Sequence, residues 1–322
     1  MRRFGCFVLI AAVLLAGAAV YAFRGWIGPG PAPRELTVLV KDGSSLTSAA
    51  RELEKAGAIR SADSFLGFAK LLGDDTPIRP GEYRVEQGMS GRAILKMLQS
   101  GKVLQRFVIV PEGTPSILVH ERLMRETLLS GSVAVPPEGS ILPDAYSFER
   151  GESRAAIVKR MRDAMDKTLA ALWKQRKPGI AVSTPAEAVN LAAIVEKETA
   201  IESERRTVAA VYSNRLKRGM MLQADPTVIY PVTKGKPLGR RILRSELQAR
   251  NGYNTYAMVG LPAGPIANPG RASIAAVLDP AQTSALYFVA DGKGGHVFAD
   301  TLEQHNANVQ KWYALRRQRG EM

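Results

Sequence analysis

The chain is poor in the residues that build disulfides and metal centres. Its 322 residues include one cysteine, Cys6, and three histidines. A single cysteine excludes an intramolecular disulfide and a cysteine-rich zinc site. The histidines, His120, His296 and His305, are far apart, and no pair has the His-x-x-x-His spacing typical of a helical metal site. We therefore expect no metal and no cofactor.

Signatures of several common enzyme classes are also missing. The sequence has no Gly-x-Ser-x-Gly elbow, which a serine hydrolase of the α/β type would need. Its glycine-rich run at residues 292–295 lacks the spacing of a phosphate-binding loop and predicts a tight hairpin turn instead. We find no internal repeat.

Acidic residues are fewer than basic residues. The chain has 44 Lys and Arg residues against 30 Asp and Glu, which gives a formal net charge of +14. This balance predicts either a solvated basic surface or an anionic partner, such as nucleic acid, a phospholipid surface or an acidic glycan polymer. The sequence carries no RNP, zinc-finger or basic-zipper signature, so no nucleic-acid partner is expected.

The amino terminus carries a long apolar run. Residues 4–23 contain no charged side chain, and Arg2 and Arg3 precede them. A run of this length spans a bilayer core of about 30 Å as a helix, and the two arginines favour a cytoplasmic N-terminus. We expect residues 1–26 to be a retained membrane anchor, with a cleaved signal peptide ending near Ala18 as the alternative. Both interpretations export the body of the chain.

A proline-rich linker at residues 27–34 leads to a predicted α+β module at residues 35–110. In this module the alternating strand 36–40 and a strand at 82–85 bracket two helices that end near residues 56 and 72. This order resembles a LysM-type glycan-binding module, and it also suits a small packing domain without a ligand. A third helix and a strand at 105–110 complete the module.

The remaining residues, 111–322, are predicted to form a second domain with its core at about 180–310. Its first part contains a helix from residue 116 to about 129, an irregular aromatic stretch at 136–148 and a long helix from 153 to about 175. Met161 and Met165 recur on one face of the long helix, where methionine is expected to fill the core. We therefore expect no ligand at this methionine stripe.

The second domain is organised around a helix predicted from residue 184 to 199. Thr184 suits the N-cap, Pro185 the first helical position, and Glu187 the third position of a capping box. Glu196 lies about 80° from the middle of the apolar face, at about 100° per residue. An acid at the edge of a buried face is a candidate general acid, because partial burial raises a carboxyl pKa. Equally, Glu196 and Glu198 suit ordinary polar positions flanking the core.

The loops that follow this helix are rich in amides, hydroxyls and aromatic rings, which is the lining that sugars need. Each residue taken alone also suits a turn that stabilises its own backbone. Taken as a cluster, we expect them to bind substrate. They are Asn214, Gln223, Asp225, Thr227, Tyr253, Asn254, Thr255 and Tyr256.

Six motifs in this order and at these intervals resemble one family, the endolytic murein transglycosylases, also called YceG-like proteins. They are L-A-A-I-V-E-K-E-T-A at 191–200, N-R-L at 214–216, L-Q-A-D-P-T-V-I-Y at 222–230, Y-N-T-Y at 253–256, G-L-P-A-G-P-I at 260–266 and Y-F-V-A-D-G-K-G-G-H at 287–296. The departures are small, since Ala193 stands where serine is common and Ala224 where threonine is common. The resemblance implies a transmembrane helix, a small LysM-like α+β module and a mixed α/β catalytic domain.

The resemblance also implies an activity. In that family the first glutamate of E-K-E-T, here Glu196, is expected to protonate the bond between N-acetylmuramic acid and N-acetylglucosamine and then to accept the proton of the 6-hydroxyl. Glu198 is expected to cap local backbone, with electrostatic tuning of Glu196 as the alternative. Peptidoglycan strands and the inner membrane are the implied partners, with penicillin-binding and elongation proteins as further ones. The alternative is an inactive, membrane-anchored glycan-binding scaffold of the wall-synthesis machinery.

Overall fold

The structure is a computed structural model, and it describes residues 12–14, 16–17, 20–21 and 23–321. Clustering of contacts divides the chain into two compact units. The first extends to Arg106 and also includes Ser147–Gly151, and the second consists of Phe107–Tyr146 and the residues from Glu152 onward. The predicted membrane anchor falls largely on residues outside the described ones. Across the described part, no helix is both long and apolar enough to span a bilayer.

The first unit is a small α+β arrangement. Its elements are β1 (Leu36–Val40), α1 (Leu46–Lys55), α2 (Ala62–Leu72), β2 (Gly81–Val85) and α3 (Gly91–Ser100). β1 and β2 are antiparallel, with Leu36 opposite Val85 and Val40 opposite Gly81. Alternate residues of these strands, including Val38 and Tyr83, lie in a core with the apolar faces of the three helices. The likeness to a LysM module stays a prediction.

The second unit is mostly helical. Its helices are α4 (Ser116–Arg125), α5 (Arg154–Lys174), α6 (Pro185–Glu198), α7 (Glu202–Lys217), α8 (Asp225–Thr233), α9 (Arg244–Gln248), α10 (Arg271–Leu278) and α11 (Leu302–Gln318). The hairpin strands β5 (Tyr287–Ala290) and β6 (His296–Ala299) precede the last helix, with Ala290 opposite His296. Two further strands, β3 (Arg106–Ile109) and β4 (Ala145–Phe148), lie in the chain segments where one unit ends and the other begins.

Two local expectations were wrong. The stretch 136–148 was expected to be irregular, but it ends in strand β4. A four-residue strand with one buried side chain, Phe148, is too short to produce an alternating pattern. The basic, proline- and glycine-containing segment 231–240 predicts a loop, yet α8 continues through Pro231 to Thr233 and ends at Lys234, whose φ of 57° is left-handed. Proline usually ends or kinks a helix, but Pro231 lies within α8.

Helix α6 forms the centre of the second unit, and its sequence shows why. The Thr184 hydroxyl caps it by accepting from the Glu187 amide at 3.2 Å, and Pro185 occupies the first turn. All residues from Leu191 to Val195 are fully buried, in contact with α5, α7, α8 and α10. The predicted core methionines, Met161 and Met165, are also buried. The packing fixes the C-terminal end of α6, where the two glutamates of E-K-E-T lie.

Candidate active site

The two glutamates at the end of α6 point to different surroundings. Residues two positions apart on a helix are separated by about 200° around its axis. Glu196 accepts a hydrogen bond from the Gly270 amide at 2.9 Å, at the N-terminus of α10. Glu198 instead lies against α7 and lines a separate cleft. The end of α6 therefore presents one carboxyl group to each of two sites.

Glu198 has the properties of a proton donor. Its Oε1 is shielded from solvent and has no hydrogen-bond partner in the described structure. Tyr212 of α7 lines the same cleft beside this carboxyl group. Burial raises the pKa of Glu198 to about 7; the Tyr212 hydrogen bond opposes this shift and the negative charge of Asp225 adds to it. A carboxyl group with such a pKa is substantially protonated near neutral pH, as a general acid requires.

The cleft beside Glu198 has a volume of about 320 Å³, which is within the range of about 300–1,000 Å³ usual for ligand pockets. Three of the predicted binding residues, Gln223, Asp225 and Tyr256, line it. The Tyr256 hydroxyl donates to Asp225 Oδ1 at 2.6 Å. Gln223 has a left-handed backbone, with φ of 54°, which is costly for a residue with a side chain. Amide, carboxylate and phenol groups thus share one small cleft with the acid.

The other predicted binding residues lie in the framework around the cleft. Asn214 donates to the carbonyls of Thr283 and Ala285, at 2.9 and 3.0 Å. Asn254 is fully buried and donates to three backbone carbonyls, the shortest bond being 2.7 Å to Ala249. These two amides therefore fix loop backbone.

Thr227 and Thr255 are fully buried, and their hydroxyls lie 2.8 Å apart. The Thr255 hydroxyl also accepts from the Ala224 amide at 3.0 Å. Tyr253 packs against Tyr230, with ring centroids 4.8 Å apart. These three side chains hold the segments that carry Gln223, Asp225 and Tyr256, so their contacts favour structural roles over substrate contact.

Glu196 belongs to a different charged group. Its side chain is 6% exposed and lies 3.9 Å from Arg205, which is also 4.0 Å from Glu112. The pKa of Glu112 is raised, by burial first and then by the negative charge of Glu196. The carboxylate of Glu196 is thus already engaged by the start of α10, where an anion is favoured. This contact makes Glu196 a bracing residue between α6 and α10.

Sequence reasoning missed three residues of the Glu198 cleft. Tyr212 shares a predicted apolar helix face with Val208 and Val211, so its hydroxyl gives no signal of its own. Arg215 is buried and donates to the carbonyls of Leu222 and Leu286, at 2.6 and 2.7 Å. His305 lines the cleft, and burial followed by the charge of Arg215 lowers its pKa. Only Arg215 lay in a motif, N-R-L at 214–216, that could have indicated it.

The described residues contain no group of three or more His, Cys, Asp or Glu side chains that could hold a metal ion. His296 Nδ1 lies 2.7 Å from Glu204 Oε2. A half-buried carboxyl group with a raised pKa, in a cleft lined by polar and aromatic groups, defines a candidate acid–base enzyme.

Comparison with known proteins places the chain in a family. The sequence model of the YceG-like family matches residues 38–311. The chain therefore belongs to the YceG-like family, which confirms the resemblance seen in its six motifs.

Its relatives include a protein of Bacillus subtilis (strain 168) named endolytic murein transglycosylase, which is 28% identical over 341 residues. That alignment covers 95% of this chain and 93% of the relative. A protein of the same name from Streptococcus pneumoniae serotype 2 (strain D39 / NCTC 7466) is 28% identical, over 85% of this chain and 58% of the relative.

A solved structure supports the fold. The crystal structure of a yceG-like protein from Listeria monocytogenes aligns with 85% of this chain and 98% of its own, at 28% identity and a TM-score of 0.54. The mixed α+β architecture is thus the one found in the family.

Proposed function

We propose that this chain is an endolytic peptidoglycan lytic transglycosylase, with Glu198 as its general acid and base. Family membership and relatives named endolytic murein transglycosylase support the activity. One observation carries the assignment of the acid: Glu198, with a pKa of about 7, lines the cleft that also contains Gln223, Asp225 and Tyr256. Glu196, the acid expected from the resemblance, is the alternative general acid. Its contacts support this role less well than those of Glu198.

The reaction needs one carboxyl group that first gives and then takes a proton. Protonated Glu198 donates its proton to the oxygen that bridges N-acetylmuramic acid and N-acetylglucosamine, and the bond to the anomeric carbon breaks. The 2-acetamido group of the substrate stabilises the positive charge that develops at this carbon. The ionised Glu198 then accepts the proton of the 6-hydroxyl, whose oxygen closes a 1,6-anhydro ring. Water is not consumed.

Two-carboxylate glycosidases differ from this scheme, because their second acid is a nucleophile or activates water. Asp225 is the other carboxylate of the cleft, and the Tyr256 hydroxyl already donates to it at 2.6 Å. We assign Asp225 to orienting Tyr256 and the substrate. Its negative charge also helps to keep Glu198 protonated.

The identity of the product tests this function. Incubation of purified protein with un-crosslinked glycan strands should yield fragments that end in 1,6-anhydro-N-acetylmuramic acid, resolved by mass spectrometry. New reducing ends would instead indicate a hydrolase. Strands that stay intact while still binding the protein would support the alternative, an inactive glycan-binding scaffold.

The pH dependence of the rate should follow the protonation of Glu198. Because the acid must be protonated, kcat/KM should be flat on the acidic side of the pKa of about 7. Above that pH it should fall about tenfold per pH unit.

Tyr212→Phe removes a hydrogen bond that favours ionised Glu198, so the pKa of Glu198 should rise and the alkaline limb of the pH profile should move to higher pH. A limb that stays in place or moves to lower pH would contradict this role of Tyr212.

In this function the folded units lie outside the cytoplasm, at the membrane where new strands are made. This location depends on the anchor predicted at residues 1–26. The contacts with penicillin-binding and elongation proteins depend on the resemblance alone. Membrane fractionation and protease accessibility of intact cells would test the location.

A further inference from the structure

A second groove lies on the other side of the α6 terminus. It has a volume of about 500 Å³ and lies between the segment after Glu112, helix α8 and the loop 235–238. Consecutive residues line the two cavities: Glu198 and Asp225 line the cleft, and Lys197 and Pro226 line the groove. Consecutive Cα atoms are about 3.8 Å apart, so the two cavities adjoin at the end of α6 and at the start of α8.

The groove combines an apolar wall with positive charge. Pro115, Leu118, Ile229 and Leu238 contribute to the wall, and two lysines lie at the surface. Lys236 is paired with Glu121 at 2.6 Å. Lys197 is exposed, and within the part of the chain that the structure describes no carboxylate pairs with it.

The side chain of Lys197 lies beside the backbone of Gly113. Gly113 has a φ of 70°, and a Cβ atom there would lie 3.3 Å from Glu196 Cγ and 3.5 Å from Lys197 Cδ. Lys197 therefore runs along Gly113 into the groove. The acid of this wall, Glu112, has a pKa raised by burial and by Glu196, and it lies 4.0 Å from Arg205. The contact with Arg205 weakens the competition of Glu112 for the lysine.

We propose that this groove binds the stem peptide of the glycan strand, with the ammonium group of Lys197 pairing with a peptide carboxylate. The inference rests on the proposed function, because the bound strand is its substrate. N-acetylmuramic acid carries its peptide on a lactyl ether next to the bond that is cut, and this peptide bears free carboxylates. The apolar wall suits the methyl groups of its alanines, and a cleft that holds the sugar leaves the peptide to a neighbouring site.

The test compares two substrates with the full chain. Un-crosslinked strands with their peptides are cleaved in parallel with the same strands stripped by an amidase. Lys197→Ala should lower kcat/KM on peptide-bearing strands about tenfold, the loss of one charge-assisted hydrogen bond, mainly through KM. Its rate on stripped strands, which keep the lactyl carboxylate but carry no peptide, should change much less. Lys197→Arg should retain most of the activity, and Lys167→Ala on the exposed face of α5 is the matched control.

Equal losses on both substrates would show that the groove binds the sugar backbone, and no loss on either would show that Lys197 binds nothing; each result overturns the proposal. Direct binding of a soluble muramyl peptide, followed by NMR, does not depend on turnover. It should weaken about tenfold in Lys197→Ala, and binding unchanged by this substitution would also overturn the proposal. Wild-type protein that binds this peptide but releases no anhydro ends would refute the transglycosylase function alone.

Discussion

Glu198→Gln should lower the rate of anhydromuramyl product formation by about 10²–10⁴-fold, the usual contribution of a general acid. Glutamine preserves the size of the side chain and its contact with Tyr212, but it carries no proton that can be transferred to the glycosidic oxygen. The measurement is the yield of anhydro ends per unit time from purified strands, by mass spectrometry. An unchanged melting temperature would show that the loss is chemical.

Glu196→Gln is the matched control, two residues away on the same helix. Its amide still accepts from the Gly270 amide, at the position where the carboxylate accepts at 2.9 Å. We expect a loss below about tenfold, well short of the effect of removing a general acid. The reverse pattern, with Glu196→Gln inactive and Glu198→Gln active, would restore Glu196 as the acid and refute the assignment made from the cleft.

Arg215→Met should destabilise the second unit and with it the cleft. The guanidinium group is buried and donates to the carbonyls of Leu222 and Leu286, at 2.6 and 2.7 Å. Methionine fills part of the volume but leaves these buried acceptors unpaired, at a cost of about 1–3 kcal/mol each. We expect the free energy of unfolding, from urea titration, to fall by about 2–5 kcal/mol.

Arg215 also holds the segment that leads into Gln223, so the variant should lose product formation even at temperatures where it is folded. Arg218→Met is the control for this substitution, because Arg218 is an exposed residue at the end of the same helix. If Arg215→Met unfolded at the urea concentration of the wild type, the guanidinium group would not be the brace that its hydrogen bonds indicate.

The helices were predictable wherever a cap and an apolar stripe coincided. Thr184, Pro185 and the buried run to Val195 specified α6 almost to the residue, because both signals are local. Strand β4 and the end of α8 could not be predicted from the sequence. A short strand has no periodicity, and Pro231 is tolerated in the helix only in its tertiary setting. Local pattern therefore located the helix that carries the acid.

The site was harder to predict from the sequence than the helix. A helical wheel places Glu196 and Glu198 on opposite edges of one face, but it cannot show which edge meets a cleft. That depends on α7 supplying Tyr212 and on the loops that bring Asp225 to Tyr256 across 31 positions of sequence. The cluster of polar residues was recognisable as a group, whereas its division into cleft and framework depends on which side chains find backbone partners.

Position 223 needs a left-handed backbone and also supplies an amide side chain to the cleft, and these two requirements conflict. Glycine would adopt the φ of 54° without strain, and it would leave the cleft without an amide. Glutamine keeps that amide at the expense of an unfavourable conformation, held by the bond from its own N–H to the Thr255 carbonyl at 3.1 Å. Variation at this position in related chains would therefore trade stability of the fold against the amide group that lines the cleft.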